Sequence, residues 1–374
     1  MDPQSALQLS VIIPARNEED CLGDCLWSLV RQQEEGFELP PQRANGGRAG
    51  DPDSRTDGQW EILVVNDAST DGTQEIAASF TGVAVLDAPP LKKGWTGKAN
   101  AVWAGAQAAR GAWLLFTDAD TIHEAGSARR AVAEAERHGV GMLSYSPRQV
   151  VRGLAQRALM PLVFSDLAAT YPPAKVNDPA QRVAAANGQF LLVRRDVYEK
   201  IGGHEAVKGS LLEDVELAVL VKQRKLGLRF RYAPDAVSAR MYRSLGAMVQ
   251  GWTKNLALLF GNAPALAGMR LVQLAVLAGI PLLIAWFATS TTLFSDDPTR
   301  AMYRPMAIAA LLIVWGRALW GFYSRVAKSN FGFRDYVWAP LGIPLYAWLL
   351  WRSWMHHAVR KQVVWKGREI KTSV

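Results

Sequence analysis

An uncharged run of 25 residues, Leu271–Ser295, most constrains how this 374-residue chain can fold. About 20 consecutive apolar residues span the hydrocarbon core of a bilayer, so the run predicts a transmembrane helix. We expect a second span at Tyr303–Tyr323, with Arg304 near one end and Arg317 closer to the other. The last third of the chain therefore has the pattern of a membrane protein.

A third apolar segment, Tyr336–Trp351, is harder to interpret. It is uncharged for 16 residues and contains Pro340 and Pro344. A helix of that length covers about 24 Å, whereas the hydrocarbon core is about 30 Å thick. The segment is expected to be either a short span or a re-entrant hairpin.

The same choice decides on which side of the membrane the tail lies. Loops rich in Lys and Arg stay on the cytosolic side. This rule places the acidic loop 296–301 outside and the basic loop 324–335 inside. The tail also carries five basic residues, which are Arg360, Lys361, Lys366, Arg368 and Lys371. Charge favours the inside for the tail, and a count of three spans favours the outside.

Charge is distributed unevenly along the chain, which has a net charge of +8. Residues 256–374 carry 13 Lys and Arg against 4 Asp and Glu, and the preceding residues carry 29 against 30. The basic residues punctuate apolar segments and do not form the clustered face of a nucleic-acid-binding domain. We therefore expect a membrane partner and no nucleic acid.

The first 145 residues alternate between short apolar runs and helical patterns. Strands are expected at Ser10–Ile13, Glu61–Val65, Val83–Leu86, Trp113–Phe116 and Met142–Tyr145. Runs this rich in Val, Ile and Leu are typical of strands buried on both faces, and their alternation with helices indicates an α/β layer with a mostly parallel sheet. Ligands bind beyond the carboxyl ends of the strands in such sheets.

These patterns divide the chain into three parts. Residues 1–240 are expected to form an α/β domain, with a Gly- and Pro-rich surface insertion at 34–59. Residues 241–268 are expected to lie at the membrane interface, and 269–374 to form a membrane domain with two or three transmembrane helices and a basic tail. The earlier apolar segment Leu154–Thr170 fits a core helix and a membrane-surface helix equally well.

Acidic residues follow the carboxyl ends of two predicted strands, which is where ligands bind on such a sheet. Asp67 follows the second strand, and the pair Asp118 and Asp120 follows the very apolar fourth strand. Residues two apart on an extended chain project the same way, so the pair can share a hard divalent cation with a diphosphate. Glu213 and Asp214 open a predicted helix, where they fit either helix capping or a general base.

Two common nucleotide-binding motifs are missing. The loop Gly94–Lys98 has glycine and lysine but not the spacing of a P-loop, and the first strand–helix turn, PARNEE, lacks the glycines of a dinucleotide-binding fold. Cys21 and Cys25 have no further ligands nearby and are expected to be reduced thiols. No signal peptide is visible at the start, so the first domain is expected in the cytosol.

Together the motifs resemble glycosyltransferase family 2. The resemblance rests on LSVIIPARNEE, ILVVNDASTDGT, GWTGKANA, LLFTDAD, AANGQFLLVRRDVYEKIGG and LLEDVELA, in that order over about residues 8–260. The membrane tail and the segment VVWKGREI look like the membrane-bound branch that includes ceramide glucosyltransferase-like and hopanoid- or carotenoid-associated enzymes. The resemblance implies a GT-A fold and inverting sugar transfer.

The resemblance also implies roles for individual residues. Asp214 matches the catalytic base. The nucleotide-sugar would be held by Pro14, Arg16, Glu18, Asp67, Lys98 and Asp118. A Mg²⁺ or Mn²⁺ ion would be held by Asp118 and Asp120, with Asp120 as the more direct ligand. The acceptor side would comprise Asn187, Gly188, Gln189, Glu213 and Trp252.

One motif of many membrane members is altered here. Where they carry QxxRW, this chain reads MVQGW, which puts Met248 at the Gln position and Gly251 at the Arg position if Trp252 is the matching tryptophan. Arg240, Arg243 or Lys254 are the candidates to supply the missing charge. The departure argues against a processive polysaccharide synthase, and so does the short membrane domain.

The hypothesis is therefore a metal-dependent, inverting transfer from a nucleotide-sugar, expected to be a UDP-sugar, to the hydroxyl of a lipid. The enzyme is expected in a bacterial inner membrane, with its catalytic domain in the cytoplasm. The alternatives are a processive synthase and a non-catalytic nucleotide-sugar-binding membrane partner. A transporter is disfavoured, because two or three transmembrane helices without a charged pair inside the membrane are too few to line a transport pathway.

Overall fold

The computed structural model describes residues 7–32, 60–289 and 298–372, and no side chain at 298–302. The expected insertion 34–59 and the two acids of the loop 296–301 lie outside the described residues. The described chain divides into two compact units. The first comprises Met1–Val150 and Tyr171–Met241, and the second comprises Val151–Thr170 and Tyr242–Val374.

The strands are short and mostly buried. They are β1 Leu9–Ala15, β2 Trp60–Asn66, β3 Val83–Asp87, β4 Trp113–Phe116, β5 Thr121–His123, β6 Met142–Ser146, β7 Arg148–Gln149, β8 Leu191–Arg194, β9 Leu228–Tyr232, β10 Val237–Ala239, β11 Gln362–Trp365 and β12 Arg368–Lys371. The five strands predicted from apolar runs correspond to β1, β2, β3, β4 and β6.

The helices fall into a set of short ones and a set of long apolar ones. They are α1 Leu22–Val30, α2 Thr73–Ala78, α3 Gly97–Ala108, α4 Ser127–Arg137, α5 Gly153–Thr170, α6 Pro173–Asn177, α7 Arg195–Lys200, α8 Gly203–Ala206, α9 Glu213–Gln223, α10 Leu245–Leu259, α11 Ala263–Thr289, α12 Pro298–Val326, α13 Phe333–Tyr336 and α14 Ala339–Trp354. A 3₁₀ turn, Ala327–Ser329, follows α12, and a π-helical turn, Met355–Val359, follows α14.

The first unit is built on a seven-stranded sheet in the order β3-β2-β1-β4-β8-β6-β9. Strands β1 to β4 pair in parallel, β6 pairs with β9 in parallel, and β8 lies between β4 and β6 antiparallel to both. The expected mostly parallel sheet is confirmed. A smaller sheet, β5-β10-β7, holds the chain just after β4 and just before α10.

Helix α3 packs closely on the sheet because it carries a glycine where the backbones approach. A Cβ at Gly105 would lie 2.5 Å from the Ile12 Cγ2 atom and 2.9 Å from the Val65 Cγ2 atom. Both neighbours are β-branched and fully buried, so they have little freedom to move aside. This close approach sets the position of α3, whose first turn carries Lys98.

Near the amino ends of β1 and β2, a buried carboxylate connects three segments of the chain. Glu61 on β2 accepts hydrogen bonds from Ser10 Oγ at 2.6 Å and from the Arg110 backbone N–H at 2.7 Å, and it also pairs with the Arg110 guanidinium at 2.9 Å. A buried carboxylate is costly unless it is paired and hydrogen-bonded. This network therefore stabilises the register of β1, β2 and the segment before β4.

The second unit is helical and ends in a β-hairpin. Within the described residues, α11 (Ala263–Thr289) and a segment comprising most of α12 (Tyr303–Ser329) are long and apolar enough to cross a membrane by length and composition. Large apolar side chains on both helices are exposed, for example Leu282 at 70% and Trp320 at 78%. Continuous exposed apolar surface of this kind marks a membrane or partner contact.

Helices α5 and α14 cross at close distance within this unit. A Cβ at Gly342 on α14 would lie 2.2 Å from the Ala158 carbonyl oxygen on α5. The same two helices share a buried polar cluster with α11, in which Asp166 accepts hydrogen bonds from Arg270 and from the Tyr346 hydroxyl. Leu154–Thr170, for which a core helix and a surface helix were equally expected, thus forms a largely buried helix of the second unit.

We predict that replacing Gly105 by alanine destabilises the protein. Although alanine gains about 1 kcal/mol of helix propensity over glycine, the added methyl overlaps Ile12 and Val65, and overpacking costs about 1–3 kcal/mol. The measurement is the thermal unfolding midpoint of the detergent-solubilised protein. Gly23→Ala is the control, because its Cβ meets Ile76 at an ordinary 3.8 Å; a Gly105→Ala midpoint at or above that of Gly23→Ala would contradict the prediction.

Candidate active site

The carboxyl ends of β1 and β2 form one side of the candidate site. Adjacent strands end in register, with Ala15 beside Asn66. The next residues therefore meet, and Arg16 donates hydrogen bonds to the carbonyl oxygens of Asp67 at 2.7 Å and Ala68 at 3.2 Å. The expected nucleotide-side residues Arg16 and Asp67 are brought together by this register.

Glu18 anchors the same turn to the first residue of α2. Its backbone N–H donates to Thr73 Oγ1 at 2.8 Å, and its side-chain oxygen accepts from the Cys21 thiol at 3.3 Å. Cys25 is buried, and burial raises the pKa of its thiol to about 12, with the adjacent carboxylates adding to the rise. A thiol held in its protonated form is a poor nucleophile and metal ligand.

An amine in the first turn of α3 joins acidic residues from two other elements. Lys98 Nζ lies 2.8 Å from Asp118 Oδ1, just after β4, and 3.1 Å from Glu213 Oε1, at the start of α9. Thr96 caps α3 by accepting from the Ala99 N–H at 3.2 Å, which fixes the turn that carries the lysine. Burial disfavours the ammonium, but Asp118 and Glu213 outweigh this effect and raise the pKa of Lys98 well above its usual value.

Asp214 lies beside this cluster and is held by backbone donors. Its Oδ2 accepts from the Gly188 N–H at 2.7 Å, and its Oδ1 accepts from the Val215 N–H at 2.9 Å. Burial raises the pKa of Asp214 to about 6, and the charge of Glu213 adds to the rise, whereas Lys98 and the two backbone donors oppose it. A carboxylate poised near neutral pH is suited to accept a proton.

Glycine at position 188 leaves the Lys98 amine and the Asp214 carboxylate uncovered on this side. A Cβ there would lie 2.9 Å from Lys98 Nζ and 3.5 Å from Asp214 Oδ2. A side chain would therefore cover the amine and the carboxylate together. The Asn187-Gly188-Gln189 segment, expected on the acceptor side, directly adjoins the expected base.

Asp120 is positioned separately from Asp118. Its carboxylate accepts from Gln189 Nε2 at 3.3 and 3.4 Å, and Gln189 Oε1 in turn accepts from Gln149 Nε2 at 3.0 Å. Its backbone carbonyl oxygen accepts from the Arg240 N–H at 3.2 Å. One of the three candidate basic residues for the altered motif thus lies next to the acidic pair.

A small cleft connects these groups. Its walls include Pro14, Lys98, Asp118, Gly188, Glu213 and Asp214, together with the apolar side chains of Val102, Phe116 and Leu191. Residues expected on the nucleotide side and on the acceptor side therefore line one space. The cleft lies beyond the carboxyl ends of β1 and β4, as expected for an α/β sheet.

His204 also lines this cleft, although its sequence context, which lacks metal-ligand spacing, gave it no expected functional role. The imidazole is buried, contacts the Tyr198 hydroxyl through Nδ1 at 2.9 Å, and packs edge-on against Phe116. Burial lowers the pKa of His204 to about 4, so the ring is neutral at pH 7. Its only sequence signal is its place in the segment GGHEA, which forms α8 after α7, and this signal is too weak to identify a site residue.

Trp252 lies on α10 in the second unit. It is 2% exposed and packs against Phe164 and Tyr242. The adjacent Gly251, at the position of the motif's arginine, faces the Tyr242 ring, which a Cβ would approach within 2.5–2.8 Å. The tyrosine therefore occupies the space that a longer side chain at 251 would need.

Comparison with protein families identifies the family to which this α/β domain belongs. Residues 10–202, more than half of the chain, match the family described as glycosyl transferase family 2. The chain belongs to glycosyl transferase family 2. It is a glycosyltransferase with a GT-A fold, and it transfers a sugar from a nucleotide-sugar donor, as the resemblance implied.

Relatives of known activity cover nearly the whole chain. The 4,4'-diaponeurosporenoate glycosyltransferase of Staphylococcus aureus strain MRSA252 is 25% identical over 375 residues, which cover 98% of this chain and 88% of the relative. The corresponding enzyme of strain USA300 is 24% identical over 376 residues, with the same coverage of both chains. The expected resemblance to carotenoid-associated enzymes is confirmed.

Solved structures match at lower similarity. A mannosyltransferase from Pyrobaculum calidifontis in complex with GDP-Man and Mn²⁺ is 16% identical with a TM-score of 0.45, over 96% of this chain and 89% of that chain. Glucosyl-3-phosphoglycerate synthase from Mycobacterium tuberculosis in complex with Mn²⁺, UDP and glucosyl-3-phosphoglycerate is 19% identical with a TM-score of 0.44, over 69% and 80%.

We predict an acidic limb near pH 6 in the pH dependence of kcat/KM. Because the pKa of Asp214 is raised to about 6, its carboxylate is protonated below that pH and cannot accept a proton. The rate should then fall about tenfold per pH unit. The measurement is initial-rate kinetics from about pH 4.5 to about pH 8.5, a range that brackets this pKa.

A pair of substitutions on α9 checks the assignment of that limb. Glu213→Gln removes a charge that raises the pKa of Asp214, so the limb should move to lower pH. Glu216→Gln, an exposed change on the same helix, should leave it in place. Equal limbs in all three proteins would assign the titration to another group.

Proposed function

We propose that the protein transfers one sugar from a nucleotide-sugar, a UDP-sugar in the first instance, to an oxygen of a lipid acceptor, with inversion at the anomeric carbon. The observation that carries the proposal is the arrangement of Asp214, held by the Gly188 N–H beside the Lys98–Asp118–Glu213 cluster. It puts a carboxylate of raised pKa next to a cation.

Asp214 acts as the general base. It removes the proton from the acceptor hydroxyl while that oxygen forms a bond to the anomeric carbon, and the bond from this carbon to the diphosphate breaks. The nucleoside diphosphate leaves with the bonding electron pair. A single displacement from the opposite face inverts the anomeric centre and needs no covalent intermediate.

Lys98 stabilises the departing diphosphate. Its ammonium is held charged by Asp118 and Glu213, so it supplies N–H donors where negative charge accumulates. Preorganised donors of this kind act more strongly in a partly buried site than in water. Glu213 serves as a positioning residue, because it orients the amine and raises the pKa of the base.

The acidic pair after β4 fits a divalent cation. No group of three or more His, Cys, Asp or Glu side chains able to hold a metal is present in the part of the chain that the structure describes. Mg²⁺ and Mn²⁺ suit a site of one or two carboxylates completed by substrate phosphate and water. Asp118 and Asp120 would hold the ion, and the bound ion would neutralise charge on the diphosphate.

A lipid acceptor is supported by the second unit and by the relatives. Helices α11 and α12 expose apolar side chains over lengths that suit a bilayer. The Staphylococcus aureus relatives are named for 4,4'-diaponeurosporenoate, the name of a carboxylate. The acceptor is thus an apolar molecule that reaches the enzyme through the membrane, and the catalytic unit faces the cytoplasm, where nucleotide-sugars are made.

The proposal predicts that Asp214→Asn lowers kcat by about 10²–10⁴-fold, the usual contribution of a general base. The measurement is nucleotide release from a panel of nucleotide-sugars by detergent-solubilised protein with Mg²⁺ or Mn²⁺ and a lipid extract. Donor affinity, measured by calorimetry, should change little.

Asp196→Asn is the matched control for that experiment, because Asp196 is an exposed aspartate paired with Arg194. It should retain full turnover. Full activity of Asp214→Asn, a retained anomeric configuration or a polymeric product would each overturn the mechanism or the single transfer.

The chemical class of the acceptor oxygen gives a second prediction. A carboxylate acceptor carries no proton at neutral pH, so transfer to it does not need the base. Asp214→Asn should therefore lower transfer to a lipid alcohol far more than transfer to a lipid carboxylate of matched chain length. Equal losses on both acceptors would mean that Asp214 contributes through its charge or position and not as a base.

A further inference from the structure

The chain after α14 folds into a two-stranded hairpin with a tight turn. Strands β11 and β12 pair antiparallel, with Val363 opposite Ile370 and Trp365 opposite Arg368. The two turn residues, Lys366 and Gly367, have φ angles of 44° and 74°. Two successive residues with positive φ are typical of the turn that best matches the twist of a hairpin. The basic tail is therefore an ordered element.

The hairpin is fastened to α10. Val363 is 1% exposed, and the Lys254 ammonium lies 4.9 Å from the centre of the Trp365 ring. Just before the hairpin, His357 Nε2 donates to the Lys254 carbonyl oxygen at 2.8 Å. At the end of α14, Ser353 Oγ donates to the Thr253 carbonyl oxygen at 2.7 Å.

These contacts decide on which side of the candidate spans the tail lies. Helix α10 ends at Leu259 and α11 begins at Ala263, so α10 adjoins the first end of α11. The chain returns through α12 to the 3₁₀ turn Ala327–Ser329, which contacts α5, as does α14. The start of α11, the end of α12 and both ends of α14 therefore belong to one face of the helical unit.

This geometry argues against α14 as a third span. Its 16 residues measure about 24 Å, and its two ends contact α5 and α10 on that same face. The two candidate spans, α11 and α12, bring the chain back to the side from which it entered. The tail then lies on the same side of the two candidate spans as α10.

The hairpin rim is strongly basic. Residues 360–372 carry five Lys and Arg against Glu369 alone. Arg360, Lys361 and Lys371 are exposed, and so is the apolar side chain of Val364 at 43%. A cluster of exposed basic residues beside an exposed apolar side chain is complementary to anionic lipid headgroups.

We propose that this C-terminal hairpin binds the anionic headgroups of the membrane face on which α10 lies. The proposal rests on the membrane insertion proposed above but not on the reaction, so it stands or falls separately from glycosyl transfer. Extraction of membranes with alkaline carbonate tests insertion by itself.

The first arm of the test is topology. Lys371→Cys and, in a second protein, the exposed Lys225→Cys of the first unit are treated with a membrane-impermeant maleimide in intact cells and in inverted vesicles. Cys21 and Cys25 are buried and serve as the unlabelled background. Both introduced thiols should react only in inverted vesicles; labelling of the Lys371→Cys protein but not the Lys225→Cys protein in intact cells would overturn the proposal.

The second arm is hydrogen exchange of the whole protein in nanodiscs. Amides of residues 360–372 should exchange more slowly in discs with one third phosphatidylglycerol than in pure phosphatidylcholine. Each basic residue near an anionic surface contributes roughly fivefold to binding, so a triple variant, Arg360→Gln, Lys361→Gln and Lys371→Gln, should lose the difference.

The control variant removes three exposed charges from α4, as Arg129→Gln, Arg130→Gln and Arg137→Gln, and should keep the difference. Exchange of both variants in detergent should equal that of the wild type, which shows that the hairpin still folds. Identical exchange of the wild-type hairpin in the two kinds of disc would overturn the proposal.

Discussion

The catalytic unit depends on one ammonium group held among carboxylates. Lys98, Asp118 and Glu213 come from three separate elements, and Asp214 lies next to them. Carboxylates crowded into a partly buried site repel one another and take up protons. The positive charge of the lysine offsets that repulsion, while burial leaves Asp214 with a pKa of about 6. The same ammonium thereby permits the acidic site to form and leaves one member of it ready to accept a proton.

A second buried charge organises the helical unit. Asp166 on α5 accepts hydrogen bonds from Arg270 in α11 and from Tyr346 on α14, and all three side chains are buried. Removing one partner of a buried pair costs about 3–5 kcal/mol, because the other charge is left uncompensated. The pair therefore favours one arrangement of helices whose apolar surfaces alone would pack in several ways, and it fixes α14 where the C-terminal hairpin meets α10.

The parts that the sequence predicted share one physical cause. Strands β1, β2, β4 and β6 were recognisable because a strand buried on both faces must be largely apolar. Strand β3 lies at the sheet edge and is only partly buried, but its run is apolar as well. Helix α11 and most of α12 were recognisable because a bilayer demands long apolar runs. Strand β8 was not predicted, because only three of its four residues, LLVR, are apolar. Strand β9 was not predicted either, although its sequence, LRFRY, alternates apolar and polar residues as a half-buried strand does. Side-chain contacts between distant residues, such as Lys98 with Glu213, leave no local pattern.

The sequence by itself determined the family, the mostly parallel sheet, the acidic residues at strand ends and the apolar length of two candidate spans. Each of these depends on the local order of residue types, through apolar periodicity or motif spacing. Only the tertiary structure decided that α5 belongs to the helical unit, that Tyr242 fills the space beside Gly251, that His204 lines the cleft and that the hairpin packs on α10. These features depend on which distant surfaces meet, and that is decided by the packing of the whole unit.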